Sequence, residues 1–304
     1  MWFFIIQNVY GLLSIIFYIV VINLTVRERR YFNSSFVKIF VTLGVVNILS
    51  YIAIYVTVRL PQQIHQNSDL SEFFASFPFP TVLAVAHFLT YYSCYVKNLT
   101  IVLMILNRLR SIACPFSREA IWDIHFWITV VFVLLFPLPF CYGILFNKSY
   151  YAYNRELDGY FISSHAQQDD DLLKLTIFQC VITILCVILN LSSILILCQR
   201  SMSSNYKREL NLLSVTFLAF TFQTLTSITM AALYITPKDS MQRALAIFIL
   251  PFCNDLFCLT FPYFFLILNA RVRKCFFEMS IFNWINDSYH FLSNKSDSEP
   301  STFV

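Results

Sequence analysis

Seven long apolar stretches, separated by polar connections, dominate the sequence. They fall at residues 2–26, 36–58, 81–106, 126–146, 172–197, 211–235 and 244–268. Each contains 21 to 26 residues, and about 20 apolar residues are enough for an α-helix to cross the hydrocarbon core of a bilayer. The pattern predicts an all-α membrane protein, with a bundle of seven transmembrane helices over residues 1–268 and a tail over residues 269–304.

The third stretch carries ionisable and amide side chains within its apolar length. His87, Cys94, Lys97 and Asn98 all lie inside it, and Arg108 follows its end. An ionisable group at membrane depth is costly unless it has a partner, a cavity or a path to the interface. We therefore expect this helix at the centre of the bundle, where neighbouring helices supply such partners.

Basic residues in the connections indicate how the bundle is oriented, because cytosolic loops carry an excess of Lys and Arg. One side of the predicted bundle holds thirteen: Arg27, Arg29, Arg30, Arg108, Arg110, Arg118, Arg200, Lys207, Arg208, Arg271, Arg273, Lys274 and Lys295. The other side holds five: Arg59, Lys148, Arg155, Lys238 and Arg243. The amino terminus is therefore predicted outside the cell and the tail in the cytosol.

A short amphipathic helix is predicted directly after the seventh stretch. Val272, Cys275, Phe276, Met279 and Phe282 recur at helical spacing, next to a cluster of cations. This combination is typical of a helix that lies on the inner membrane face. Cys275 is a candidate for palmitoylation there, with an unmodified thiol as the alternative.

Composition argues against a soluble enzyme and against a nucleic-acid-binding protein. Of 304 residues, 58% are hydrophobic and 12% charged, about half the charged share of an average soluble domain. The net charge of +4 is small and dispersed. The nine cysteines form no C-x-x-C pair, so we expect neither a disulfide framework nor a zinc site. Residues 244–268 lack a lysine for a retinal Schiff base, and we expect no cofactor and no catalysis.

A transporter or a ligand-gated channel subunit is the main alternative function. The sixth stretch has hydroxyl and amide side chains that would suit a pore: Thr216, Thr221, Gln223, Thr224, Thr226, Ser227 and Thr229. The same residue types also form hydrogen bonds between membrane helices. Seven stretches with four glycines do not divide into the paired halves typical of transporters.

Several short motifs recur in an order that resembles a known family. They are Tyr10-Gly11, Phe32-Asn33-Ser34-Ser35-Phe36, Asn47 with Tyr51, Arg59, Asn107-Arg108, Asn254-Asp255-Leu256, Pro262-Tyr263 and Arg271. Together they resemble G-protein-coupled receptors and, more narrowly, the nematode serpentine chemoreceptors of class gamma and closely related classes. The resemblance covers almost the whole chain except the tail. It implies a sensory receptor in the plasma membrane of sensory neurons, which binds a small extracellular chemical and activates a heterotrimeric G protein.

The sequence departs from the larger rhodopsin-like pattern at two positions. Asn107 stands where an acidic residue would lie beside Arg108, and no predicted outer loop has a cysteine for the disulfide that pins the long outer loop. Arg108 is nevertheless a candidate contact for the G protein at the cytosolic end of the third helix. An ordinary positive-inside anchor is the alternative interpretation.

The ligand of such a receptor is expected among the outer halves of the helices. His87, Tyr91 and Tyr92 would surround it together with the aromatic-rich connection 147–171, although aromatic residues are so abundant that most serve packing. Asn147, in Asn147-Lys148-Ser149, is a candidate for N-glycosylation on the same side.

Asp255 is the one carboxylate inside the seven stretches. Counted along the helices, Asn47 of the second stretch lies at a similar depth, so we expect the two side chains to meet. In rhodopsin-like receptors an aspartate of the second helix faces an asparagine of the seventh, and here the residue types look exchanged. Lys97 is the alternative partner. Such a pair would act as an activation switch or as a clamp that holds the bundle together.

Overall fold

The predicted bundle of seven membrane helices is confirmed. The computed structural model describes residues 2–28, 34–113, 119–155, 158–164, 168–199, 206–237 and 240–278. Within these residues, seven helical segments are long and apolar enough to cross a membrane. The first to seventh spans are Ile6–Arg27, Ser35–Gln62, Pro80–Ala113, Phe126–Phe146, Asp170–Gln199, Leu210–Ile235 and Met241–Leu268.

Most helices extend beyond the predicted stretches by several residues. They are α1 (Trp2–Arg27), α2 (Ser34–Ile54), a π-helical turn (Tyr55–Arg59), α3 (Leu60–Gln62), α4 (Ser71–Ala75), α5 (Pro80–Ala113), α6 (Glu119–Leu135), α7 (Leu138–Phe146), α8 (Gln168–Gln199), α9 (Tyr206–Ile235), α10 (Met241–Leu259) and α11 (Phe261–Leu268). A final helix, α12, covers residues 270–278.

Prolines divide two of the spans into paired helices. The fourth span breaks between α6 and α7, where Pro137 caps the second helix and Pro139 lies in its first turn. The seventh span breaks at Thr260, one residue before α11, which has Pro262 in its first turn. Proline has no N–H to donate, so it fits the first turn of a helix better than the interior.

The third span is the most buried of the seven, as its polar residues predicted. In its most apolar window 67% of the residues are buried, against 28% in the fourth and in the fifth span. The half of the third span that is farther from His87 contributes Ile101, Met104 and Ile105 to the main apolar core. There they pack with Phe40 of the second span and Phe265 of the seventh.

A β-hairpin occupies part of the connection that the sequence predicted only as a loop. Strands β1 (Ser149–Asn154) and β2 (Gly159–Ser164) are antiparallel, with Ser149 opposite Ser164. Alternate residues of the hairpin are buried, including Tyr151 in β1 and Tyr160 and Ile162 in β2. Burial with a period of two is what a strand shows when one face packs against other residues.

An apolar cluster and a close backbone approach hold the hairpin against the bundle. The hairpin side chains pack with residues of the connection between the second and third spans and with the start of the third span. The buried members of this cluster are Ile64, Phe74, Leu83, Tyr151, Tyr160 and Ile162. Tyr151 donates a hydrogen bond to the Val56 carbonyl at 3.2 Å, and burial raises the pKa of Tyr151 to about 12. Gly159 lies so close to the Gln62 carbonyl that an added Cβ would be 2.6 Å from the oxygen. These contacts fix the hairpin where rhodopsin-like receptors use a disulfide.

The amino-terminal part of the first span lies at the same end of the bundle as the hairpin. There Gln63 donates a hydrogen bond to the Gln7 side chain at 3.2 Å. We call this the hairpin end. At the opposite end, Arg271 of α12 forms an ion pair with Glu28 at 3.4 Å.

Helix α12 lies against the bundle with its apolar side. Val272 is buried, and the Phe276 ring meets Phe17 of the first span edge-on at 5.8 Å. The predicted short helix after the seventh span is thus present. Two of the residues that suggested it, Met279 and Phe282, lie outside the described part of the chain.

Candidate functional site

A cavity of about 760 Å³ lies inside the bundle at the hairpin end. Its walls come from the second, third, fifth, sixth and seventh spans, and both strands of the hairpin contribute residues to its lining. Cavities that bind small molecules in proteins have volumes of about 300 to 1,000 Å³ and mostly apolar walls. The size therefore suits a small organic ligand.

The cavity wall is largely apolar with a few separated polar groups. Its apolar and aromatic residues are Ile54, Val58, Tyr91, Tyr153, Phe161, Ile162, Leu172, Leu175, Met230, Leu233, Ile247, Leu250 and Pro251. Its amide, hydroxyl and imidazole groups are Thr57, His87, Thr90, Asn154, Ser163, Gln179, Thr226 and Asn254. Such a wall can hold a hydrocarbon body and orient one or two polar atoms.

Two of the three residues predicted to surround a ligand do line this cavity. His87 is buried, with its Nδ1 3.3 Å from the Ser149 hydroxyl of β1, and its ring contacts Tyr91 edge-on at 5.3 Å. Tyr92, the third, does not belong to the lining. Its hydroxyl donates to the Leu134 carbonyl of the fourth span at 2.9 Å, because one residue of helix turns the side chain by about 100°.

A buried ion pair lies beside the cavity, between the second and seventh spans. Asp255 Oδ2 accepts hydrogen bonds from Arg59 and from the Tyr10 hydroxyl. Arg59 also donates to the Pro251 carbonyl at 3.0 Å and stacks over the Tyr51 ring at 5.5 Å. Both charged side chains are almost fully buried, at 3% and 7% exposure.

The predicted partners of Asp255 are therefore wrong. Asn47 donates instead to the Tyr18 hydroxyl at 3.1 Å, and its Oδ1 has no partner among the described residues. Lys97 donates to the side-chain carbonyl of Asn254, the residue before Asp255, at 2.6 Å. Similar depth in the membrane does not make two side chains meet, because each must also face the other.

Sequence reasoning missed Arg59 because the second stretch appeared to end there. The helix instead continues through the π-helical turn Tyr55–Arg59, and an extra residue in a turn rotates the following side chains. The signal was present in the resemblance, since Tyr10-Gly11, Tyr51 and Arg59 were all among its motifs. The structure brings Gly11 and Tyr51 together. The Tyr51 hydroxyl approaches the Gly11 backbone so closely that a Cβ added to Gly11 would be 1.8 Å from it.

Arg108 lies at the end of the bundle opposite the hairpin, as predicted, but it is buried. Its guanidinium carbon is 4.3 Å from the centre of the Phe36 ring of the second span. This cation–π contact holds the arginine against the bundle. A role of Arg108 in contacting a G protein stays a prediction and requires the side chain to leave Phe36.

The two candidate modification sites lie at opposite ends of the bundle. Asn147 follows the last residue of α7 in an extended conformation at the hairpin end. Cys275 is half-buried in α12, and desolvation raises the pKa of its thiol. Both modifications remain predictions. Within the described residues, no group of three or more His, Cys, Asp or Glu side chains could hold a metal ion.

The seven-span bundle, with a cavity under the hairpin and a buried polar network beside it, is the arrangement of a serpentine membrane receptor. The chain belongs to the Srg family of chemoreceptors, since the model of that family matches residues 4–276. It is similar to serpentine receptor class gamma-31 of Caenorhabditis elegans, with 24% identity over 281 residues that cover 88% of this chain and 89% of the relative. The protein is thus a multi-pass membrane protein, and the family points to a receptor rather than an enzyme.

Proposed function

We propose that the protein binds a small, largely apolar chemical from outside the cell and activates a heterotrimeric G protein in the cytosol. The cavity carries this proposal, because it has the size and the wall chemistry of a small-molecule site. Membership of a chemoreceptor family supports the same function.

In this proposal the hairpin end faces outward and α12 lies on the cytosolic side. The thirteen basic residues assigned to the cytosolic side by sequence support this orientation. A ligand would then reach the cavity from the side of the hairpin, and the G protein would bind near Arg108 at the opposite end.

The buried ion pair provides a route from ligand to helix movement. Pro251 and Asn254 line the cavity, Arg59 is bonded to the Pro251 carbonyl, and Asp255 follows Asn254 directly. A ligand that displaces this part of the seventh span would alter the contacts between the second and seventh spans. Small helix shifts of this kind are a common switching mechanism in membrane and allosteric proteins.

A chemical screen in cells that express the full chain tests the function, with G-protein dissociation as the readout. The matched variants are Thr226→Phe, which places an aromatic ring in the cavity, and Thr221→Phe, which places the same ring on the exposed face of the same helix. We expect Thr226→Phe to lose the response and Thr221→Phe to keep it. Ligand-driven ion currents without G-protein activation would contradict the proposal and favour a channel.

A further inference from the structure

The deep end of the cavity holds an amide group with an unused hydrogen-bond donor. Asn254 lines the cavity and is 2% exposed. Its Oδ1 accepts a hydrogen bond from the Lys97 ammonium at 2.6 Å. Lysine can only donate, so this contact fixes which side of the amide faces Lys97. The Asn254 Nδ2 has no acceptor within the described residues. An unpaired buried donor favours a ligand that supplies a hydrogen-bond acceptor.

Lys97 brings a positive charge to this depth without a carboxylate partner in the described part of the chain. It is 1% exposed, and its other contacts are the Cys258 sulfur at 3.3 Å and the Phe257 ring at 4.9 Å. The neighbouring acid, Asp255, is paired with Arg59. A buried cation without a counter-ion is unfavourable in a membrane. An anion bound next to Asn254 would compensate the buried charge of Lys97.

The charges on the cavity wall have the same sign. Arg155 and Arg243 belong to the lining, whereas no Asp or Glu does among the described residues. Arg243 lies near the start of α10, about 16 Å along the helix from Asn254 at 1.5 Å per residue. The charged side chains of the described lining are thus both cationic, which favours a bound anion over an amine.

Building on the function proposed above, we infer that the ligand is an organic carboxylate with an apolar body. One carboxylate oxygen accepts a hydrogen bond from Asn254 Nδ2. Lys97 lies behind the amide as a positioning residue: it polarises the amide and supplies the compensating charge. The hydrocarbon part then packs against the apolar wall, which includes Met230, Leu233 and Leu250.

Thermal unfolding of the purified full chain measures this preference without any G protein. The probes are the straight-chain acids from butanoate to decanoate, each with its methyl ester, primary alcohol and primary amine. The acids are expected to raise the melting temperature most, the esters and alcohols less, and the amines not at all. Equal shifts by acid and ester, a preference for the amine, or no shift by any acid would overturn the inference.

Variants then locate the anion in the cavity. Asn254→Leu should weaken acid binding by about ten- to a hundredfold, the range expected for one hydrogen bond to a charged group. Asn254→Asp, which pairs with Lys97 and repels the acid, should abolish it. Lys97→Met should lose the acid preference while the ligand-free protein melts at a higher temperature, because an uncompensated buried charge has been removed. Unchanged acid preference in these variants would contradict the assigned position.

The matched control is Asn190→Leu. Asn190 is a buried asparagine of the fifth span that bonds to the Cys186 carbonyl at 2.9 Å and does not line the cavity. This variant should bind the acids as the unaltered chain does. Acid binding without G-protein activation would overturn the proposed function and leave this inference standing. G-protein activation by esters and acids alike would support the proposed function and overturn the inference that the ligand is a carboxylate.

Discussion

Replacing Asp255 by asparagine should destabilise the bundle more strongly than the loss of an ordinary hydrogen bond. The substitution leaves the Arg59 guanidinium buried, with the Tyr10 hydroxyl at 3.3 Å and the Pro251 carbonyl at 3.0 Å as its remaining hydrogen-bond partners. Removing one partner of a buried ion pair costs about 3–5 kcal/mol, because the other charge stays desolvated. A neutral hydrogen bond contributes only about 1 kcal/mol. For a chain of this size, the expected loss corresponds to a fall in melting temperature of about 6–20 °C.

The assay is thermal unfolding of the purified chain in lipid nanodiscs, followed by intrinsic fluorescence. Asp255→Asn and Arg59→Gln should each lower the melting temperature. The double variant Arg59→Met with Asp255→Leu should recover most of it, because no uncompensated charge remains. Adding Asn47→Asp to Asp255→Asn should not rescue stability, since Asn47 contacts Tyr18 and not Arg59.

Two results would refute this reasoning. One is an Asp255→Asn protein that melts within about 2 °C of the unaltered chain, which corresponds to roughly one neutral hydrogen bond. The other is rescue by Asn47→Asp, which would mean that Asn47 and Asp255 share a partner. At the cell surface, Asp255→Asn is also expected to change basal or ligand-driven signalling, because the pair joins the second and seventh spans.

Four further predictions concern the hairpin and the two ends of the bundle. Gly159→Ala should displace the hairpin at a cost of about 1–3 kcal/mol from overpacking. Hydrogen exchange over residues 149–164 should then increase. The control is Gly143→Ala, where an added Cβ meets nothing within 4 Å. Asn147→Gln should remove any glycosidase-sensitive shift in mobility, and a shift that persists would contradict the predicted orientation. Arg108→Ala should abolish G-protein activation with surface expression retained, whereas normal signalling would leave Arg108 as a membrane anchor. Hydroxylamine-sensitive acyl labelling that disappears in Cys275→Ser would establish palmitoylation, and no difference between the two proteins would support the unmodified thiol.

The sequence alone was sufficient for the number and approximate positions of the spans. Membrane spanning depends on the length and polarity of a continuous stretch, and both can be counted along the chain. The prolines at 137, 139 and 262 lie at the breaks in the fourth and seventh spans, but Pro251 lies inside α10, so a missing N–H alone does not decide where a helix ends. The central place of the third span followed from the cost of exposing Lys97 to lipid.

Only the tertiary structure decided which polar groups meet. Arg59 and Asp255 are 196 residues apart in sequence, and their contact depends on the rotation of both spans about their axes. A π-helical turn changes that rotation within five residues, and nothing in the hydrophobic pattern of the second stretch indicates it. The position of Tyr92 outside the cavity has the same origin, because a rotation of about 100° per residue separates it from Tyr91.

The hairpin shows the limit of sequence reasoning most clearly. Its alternating burial is visible only once Phe74 and Leu83 are known to lie beneath Tyr151 and Tyr160, since a short two-stranded hairpin is marginally stable alone. The length of each span is a property of consecutive residues, and the sequence determined it. The cavity, the ion pair and the unused donor of Asn254 arise from side chains distant in sequence that face one another, which depends on how the spans pack.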